Sequence, residues 1–206
     1  MKHRLLGLVG TVLAGALLAS SAQAQVVNGS FETNAQDNGT WNIYANLVGW
    51  QGGAFGIELR NNVAGAAFDG KNYIELDTTH NSVASQVLTT TPGSYVLSFA
   101  YSPRERIGAS SNGIEAWWNG SLVASLTGNG ANNGNNWTLY SYSVIGGSPT
   151  STLEFRAFGN DDSYGGSLDA VSVTAAVPEP ETYAMMLAGL GLIGLMTKRR
   201  RRTATA

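Results

Sequence analysis

The stretch Gly113-Ile114-Glu115-Ala116-Trp117-Trp118 sends two adjacent tryptophans to opposite faces of an extended chain. Ile114, Ala116 and Trp118 share one face, and Glu115 and Trp117 the other. An outward indole is a platform on which a pyranose ring stacks, while charged or amide neighbours hydrogen-bond its hydroxyls. Trp117 is therefore the leading candidate for sugar contact, with Tyr101, Arg104, Glu115 and Arg156 as candidates to share its cleft. The alternative is that Trp117 fills a sheet interface or stands alone on the surface. Trp41, Trp50 and Trp137 are expected as core or loop plugs. A second group, Asp161-Asp162-Ser163, offers oxygens but lacks the D-x-D-x-D-G spacing of an EF-hand loop and reads as a solvated loop.

Catalytic chemistry has little to stand on. Of two histidines, His3 lies in a basic leader and His80, beside Thr79 and Asn81, reads as a turn residue. Without cysteine there is no thiolate nucleophile and no Cys-type zinc site. G-x-S-x-G, H-E-x-x-H and P-loop patterns are missing. Paired acids exist, but sequence leaves their separation open. The expectation is a protein that is not an enzyme.

The elements that must position these residues are short strands. The chain has 206 residues with 26 glycines, and only 13% are Asp, Glu, Lys or Arg. Such a composition suits strands joined by turns. Seven of the 12 basic residues lie at the two ends, so residues 25–177 carry twelve acids against five basic residues, a net −7. That balance argues against nucleic acid, which needs a basic footprint. Period-two patterns mark 26–32 with Phe31 inward, 56–60, 72–77, 82–90, 94–102, 113–118, 137–145, 152–158 and 167–173. Eight or nine such strands over about 150 residues imply a β-sandwich or barrel.

Asn28-Gly29-Ser30-Phe31-Glu32 at the start and Leu168-Asp169-Ala170-Val171-Ser172-Val173 at the end resemble the paired termini of galactose-binding-like jelly rolls, which include many carbohydrate-binding modules. Tyr73-Ile74-Glu75-Leu76-Asp77 and Pro92-Gly93-Ser94-Tyr95-Val96-Leu97-Ser98-Phe99 match in style. The resemblance implies an all-β jelly-roll sandwich over 25–176. It further implies one structural Ca²⁺ between the first and last strands, with Glu32 and Asp169 as carboxylate ligands and a backbone carbonyl near Lys71 or Gly29. The alternative is that both are ordinary strand-end acids. The family's closing motif reads Asp-Asn-Val, and here Ala170 replaces the asparagine.

The ends carry targeting patterns. Met1-Lys2-His3-Arg4, the apolar run from Leu5 to Ala19 and the small-x-small site Ala22-Gln23-Ala24 predict a signal peptide over 1–24, cleaved between Ala24 and Gln25. At the other end, Val177-Pro178-Glu179-Pro180 precedes an apolar run from Tyr183 to Met196 and a basic run from Lys198 to Arg202. As a helix the fourteen apolar residues reach roughly 21 Å at 1.5 Å per residue, short of a roughly 30 Å hydrocarbon core, with snorkelling Lys198 extending the reach. The basic run should stay cytoplasmic. Residues 177–202 resemble the PEP-CTERM sorting signal of Gram-negative bacteria. That resemblance implies passage through the inner membrane, a transient C-terminal transmembrane helix, and processing by an exosortase at Pro178, Glu179 and Pro180. Release to the cell surface or the exopolysaccharide matrix of a biofilm follows. A plain membrane anchor is the alternative at either end.

Together these patterns predict an exported, non-enzymatic surface or matrix protein that binds carbohydrate. A structural or adhesion protein without a sugar site is the alternative, and a glycan-active hydrolase a distant one. Signal peptidase and exosortase are the expected export partners.

Overall fold

The computed structural model describes residues 25–147, 149–176 and 185–193. In chain order its strands are β1 (Thr40–Tyr44), β2 (Asn46–Leu47), β3 (Trp50–Gly52), β4 (Ile57–Asn61), β5 (Asn72–Glu75), β6 (Val83–Thr89), β7 (Gly93–Ser102), β8 (Gly113–Trp118), β9 (Ser121–Leu126), β10 (Thr138–Gly146), β11 (Thr150–Phe158) and β12 (Ser167–Ala175). They form two six-stranded antiparallel sheets, ordered β1-β4-β5-β12-β7-β10 and β2-β3-β6-β11-β8-β9. The expected sandwich is present. Eight of the nine expected strands are present, and β1, β2, β3 and β9, which are too short or too mixed to show a clear alternation, bring the number to twelve among the described residues.

Alternation fills the space between the sheets. Ile57 and Leu59, Ile74, Tyr95, Leu97 and Phe99, and Ile114, Ala116 and Trp118 all point inward and are buried. Phe31, Trp50, Phe155 and Phe99 form a run of tilted and edge-on rings with centroids 5.6, 6.2 and 5.0 Å apart, which suits the aromatic quadrupole. The turn Asn119-Gly120 joins β8 to β9 with φ of 50° and 76°, the left-handed pair that a two-residue hairpin requires.

The expected strand over 26–32 is a turn instead. Asn28 and Phe31 have φ of 55° and 59°, the Phe31 N–H donates to Asn28 O, and the Asn28 side chain accepts from the Thr33 N–H. Local side-chain bonds of this kind compete with strand pairing. Phe31 is still fully buried. The segment lies against β12, where the Val171 N–H donates to Gly29 O at 2.9 Å. A Cβ on Gly29 would fall 1.9 Å from Val171 O, so only glycine permits this approach. Beside it, β12 carries a bulge between Asp169 and Ser172, with Ala170 at φ 49°.

The expected signal peptide, the Pro178-Glu179-Pro180 motif and the basic run lie outside the described residues. Residues 185–193 are helical. Among the described residues no helix is long and apolar enough to cross a membrane, and the rest of the expected span lies outside them.

Candidate functional site

On the outer face of the first sheet, period-two logic puts Glu58 and Arg60 of β4 beside Tyr73 and Glu75 of β5. Glu58 pairs with Glu75 and Arg60 with Tyr73 in the strand register. All four are buried rather than solvated, because loops cover this face. Trp137 packs edge-on to Tyr73 at 5.6 Å and donates to Ala66 O at 2.9 Å, while the Asn136 N–H donates to the Ser102 hydroxyl. Gly65, at φ 120°, lets this Gly/Asn loop approach, since a Cβ there would lie 2.3 Å from the Asn135 nitrogen.

Charge is sealed under these loops. Arg60 donates through Nε to Glu58 Oε1 at 2.5 Å and through Nη2 to Glu75 Oε2. Arg104 Nη1 reaches Glu75 Oε2 at 3.2 Å, and the Gly165 N–H donates to Glu75 Oε1 at 2.5 Å. Burial pushes the Glu75 carboxyl up to about 8 against the pull of Arg60 and Arg104. For Arg60, burial alone would lower the pKa. The facing carboxylates of Glu75 and Glu58 overcome it and hold the guanidinium above its ordinary value. Arg60 Nη1 is buried with no hydrogen-bond partner among the described residues, although buried donors are normally satisfied.

A cleft of about 300 Å³ opens over this network, with Glu58, Arg60 and Arg104 in its lining. Trp41 of β1, directly opposite Arg60 in the register and 51% exposed, forms one wall. Tyr164 forms another, its ring backed by the Arg104 guanidinium 4.6 Å from the centroid. Asp77 positions that wall by accepting the Asp162 and Tyr164 N–H groups on Oδ2. Exposed aromatic walls over a rigid charged floor can stack an apolar ring face and hydrogen-bond its rim.

Of the five residues expected to share a cleft, only Arg104 lies here. Glu115, Trp117 and Arg156 do come together, on the outer face of the second sheet. Trp117 Nε1 donates to Glu115 Oε2 at 2.8 Å, and the Arg156 guanidinium lies 4.3 Å over the Trp117 ring. Arg156 is also paired with Glu154. Tyr101 joins neither group. It is 2% exposed in the core and donates to Asn112 O, as its register with Tyr95, Leu97 and Phe99 already required. Trp41, expected as a core or loop plug, is instead half exposed on the edge strand, and with Tyr164, which sequence reasoning assigns to no site, it supplies the exposed rings. The outward position of Trp41 opposite Arg60 could be read only once β1 was paired with β4. The Asp161-Asp162 loop is tied down: Asp161 pairs with His80 Nδ1 at 2.7 Å, and the Ser111 hydroxyl donates to Asp162. The His80 hydrogen bond holds the Asp161 carboxyl below its usual range.

Glu32 and Asp169 both turn onto the loop before β5. Glu32 Oε1 accepts the Lys71 and Asn72 N–H groups at 2.8 and 2.6 Å. Asp169 Oδ2 accepts those of Phe68 and Asp69 at 2.8 and 2.9 Å, and Oδ1 that of Ala170 at 2.6 Å. Lys71 meets Glu32 through its amide. Among the described residues no three His, Cys, Asp or Glu side chains group closely enough to hold a metal ion. What fits a hard cation is narrower. Two carboxylates converge on one loop, and Asp169 is fully buried with backbone amides as its hydrogen-bond partners. Burial raises the Asp169 carboxyl to about 7 despite those amides.

Two antiparallel sheets with this order make the body a jelly-roll β-sandwich of the kind found in carbohydrate-binding modules. TmCBM61, solved in complex with β-1,4-galactotriose, shares the fold at a TM-score of 0.51 and 15% identity, over 74% of this chain and 99% of that one. A Stig cyclase, Fisc from Fischerella sp. TAU, shares it at a TM-score of 0.55 and 14% identity, over 78% and 100%. In sequence, the multifunctional-autoprocessing repeats-in-toxin of Vibrio cholerae is 28% identical over 159 residues, 76% of this chain. The chain spans about 3% of the length of the curated relatives it matches. At the C-terminus the chain carries the PEP-CTERM protein-sorting motif, matched over residues 176–202.

Proposed function

We propose that this chain is an exported surface or matrix protein whose β-sandwich binds carbohydrate in the Trp41–Tyr164 cleft without acting on it chemically. The observation that carries the reading is that half-exposed Trp41 and Tyr164 wall one cleft over a charged floor of Glu58, Arg60 and Arg104. A sugar ring on the indole would turn its hydroxyls toward Arg104 and Glu58, the charged side chains at the cleft surface. The sorting motif supports recognition by an exosortase and delivery to the cell surface, and exopolysaccharide is the glycan this reading proposes there. The fold shared with a galactotriose-binding module supports the ligand class, while the fold shared with a cyclase is a likeness of scaffold alone.

The Trp117 group is a weaker site because Arg156 already occupies the ring face. A purely structural or adhesive protein is the competing class. A glycan array probed with the chain and with Trp41→Ala and Trp117→Ala decides among them. Loss on Trp41→Ala supports the cleft, loss on Trp117→Ala alone moves the site to the other sheet, and no binding by the parent chain overturns the sugar reading.

We also propose one structural Ca²⁺ between the opening segment and β12, held by Glu32 and Asp169 with backbone oxygens of the adjoining loop. The ion would supply the positive charge that buried Asp169 does not receive from a basic side chain in its hydrogen bonds.

A further inference from the structure

Two more recesses flank the cleft along β1. One of about 470 Å³ has Trp41 in its wall together with Thr40 and Asn42. The next, of about 540 Å³, reaches from Asn38 to Asn61 and Lys71. Trp41 is common to the cleft and the first recess, and Gln36 and Asp37 are common to the first and the second. The three therefore adjoin at shared lining residues, and because Thr40 and Asn42 alternate with Trp41 the route passes around the edge of β1. β1 stands at the edge of its sheet, so no strand walls this route on its outer side.

We propose that the cleft is one end of a continuous groove along β1 that takes several consecutive units of a polysaccharide chain rather than one terminal sugar. This rests on the carbohydrate reading of the cleft. The lining chemistry points to polyols: away from the charged floor the walls are mostly amides and hydroxyls, which both donate and accept. They are also held in place. Gln36 donates to the Thr40 hydroxyl at 2.5 Å and accepts from the Tyr44 hydroxyl at 3.2 Å, and Asn62 donates to Asn38 at 3.3 Å. Fixed polar groups lose little freedom on binding. Trp41, at the junction of the cleft and the first recess, is the stacking platform between them. Three acids, Glu58, Asp162 and Asp37, stand against Arg60, Arg104 and Lys71 and leave the groove close to neutral, which suits uncharged sugar units.

The test is calorimetric titration of the full chain with β-1,4-linked galactose and glucose oligomers, from monomer through dimer and tetramer to hexamer. In the series that binds, affinity should rise about tenfold or more from dimer to hexamer, ~1.4 kcal/mol. Asp37→Ala and Asn38→Ala, far from the charged floor, should each bring the hexamer-to-dimer ratio down toward one. Equal affinity for dimer and hexamer overturns the groove while leaving the cleft standing, as does a ratio that neither variant lowers. No binding at any length in either series overturns the carbohydrate reading with it.

Discussion

Arg60 Nη2 meets Glu75 Oε2 in an ion pair whose side chains are 2% and 0% exposed, on a sheet face that alternation alone would assign to water. The pair exists because loops fold over that face, and the second acid, Glu58, completes it. Removing water strengthens the attraction but charges each partner a large desolvation cost, so the three groups depend on one another.

Arg60→Met should therefore be strongly destabilising. It leaves Glu58 and Glu75 buried without their common partner, a loss on the order of 3–5 kcal/mol. Chemical denaturation at about pH 9, above the raised Glu75 value, measures it. A loss below about 1 kcal/mol would mean that water reaches this face.

The pH dependence follows from Glu75. Its carboxyl is raised from an ordinary 4.5 to about 8 by burial. Between those values the folded chain binds more protons than the unfolded chain, so stability falls as pH rises across that window and levels off above it. Melting temperature measured with chelator present should decline from pH 5 to pH 8, and Glu75→Gln should reduce the decline to the part that comes from Asp169, whose carboxyl burial raises to about 7. An increase in stability over that range would contradict the assignment.

Trp41→Ala should separate binding from folding. The side chain is half exposed and outside the buried core, so its loss should change stability by less than about 1 kcal/mol. Glycan affinity should fall by roughly tenfold or more. Titration and thermal melts on the same sample compare the two effects.

Ala170 holds φ at 49° in the β12 bulge. The left-handed region costs a residue with a Cβ roughly 1–2 kcal/mol, and asparagine tolerates it better. Ala170→Asn should stabilise the fold by about 0.5–1 kcal/mol, read as a higher denaturation midpoint. The substitution also restores the Asp-Asn-Val pattern from which this chain departs.

Calcium should raise the melting temperature of the parent chain and chelator should lower it, with Asp169→Ala abolishing the difference. Binding to the native state alone stabilises by mass action, about 2.7 kcal/mol at a hundredfold excess over Kd. A melt indifferent to chelator would remove the ion from the account.

The sequence by itself determined the all-β class, the inward faces of β4, β7 and β8, the Asn119-Gly120 hairpin and the sorting motif. Each of these is local: a period of two, a left-handed turn pair, a run of ordered motifs. Tertiary structure alone decided that Glu58, Arg60 and Glu75 are buried, since loops as distant as those carrying Trp137 and Gly165 help cover them. It alone set Trp41 opposite Arg60, through the pairing of β1 with β4, and laid Arg156 over Trp117 through the pairing of β11 with β8. Alternation says which side chains share a face, but which face is covered depends on loops and strand partners distant in the chain. That is why the body's fold could be read early and its candidate site could not.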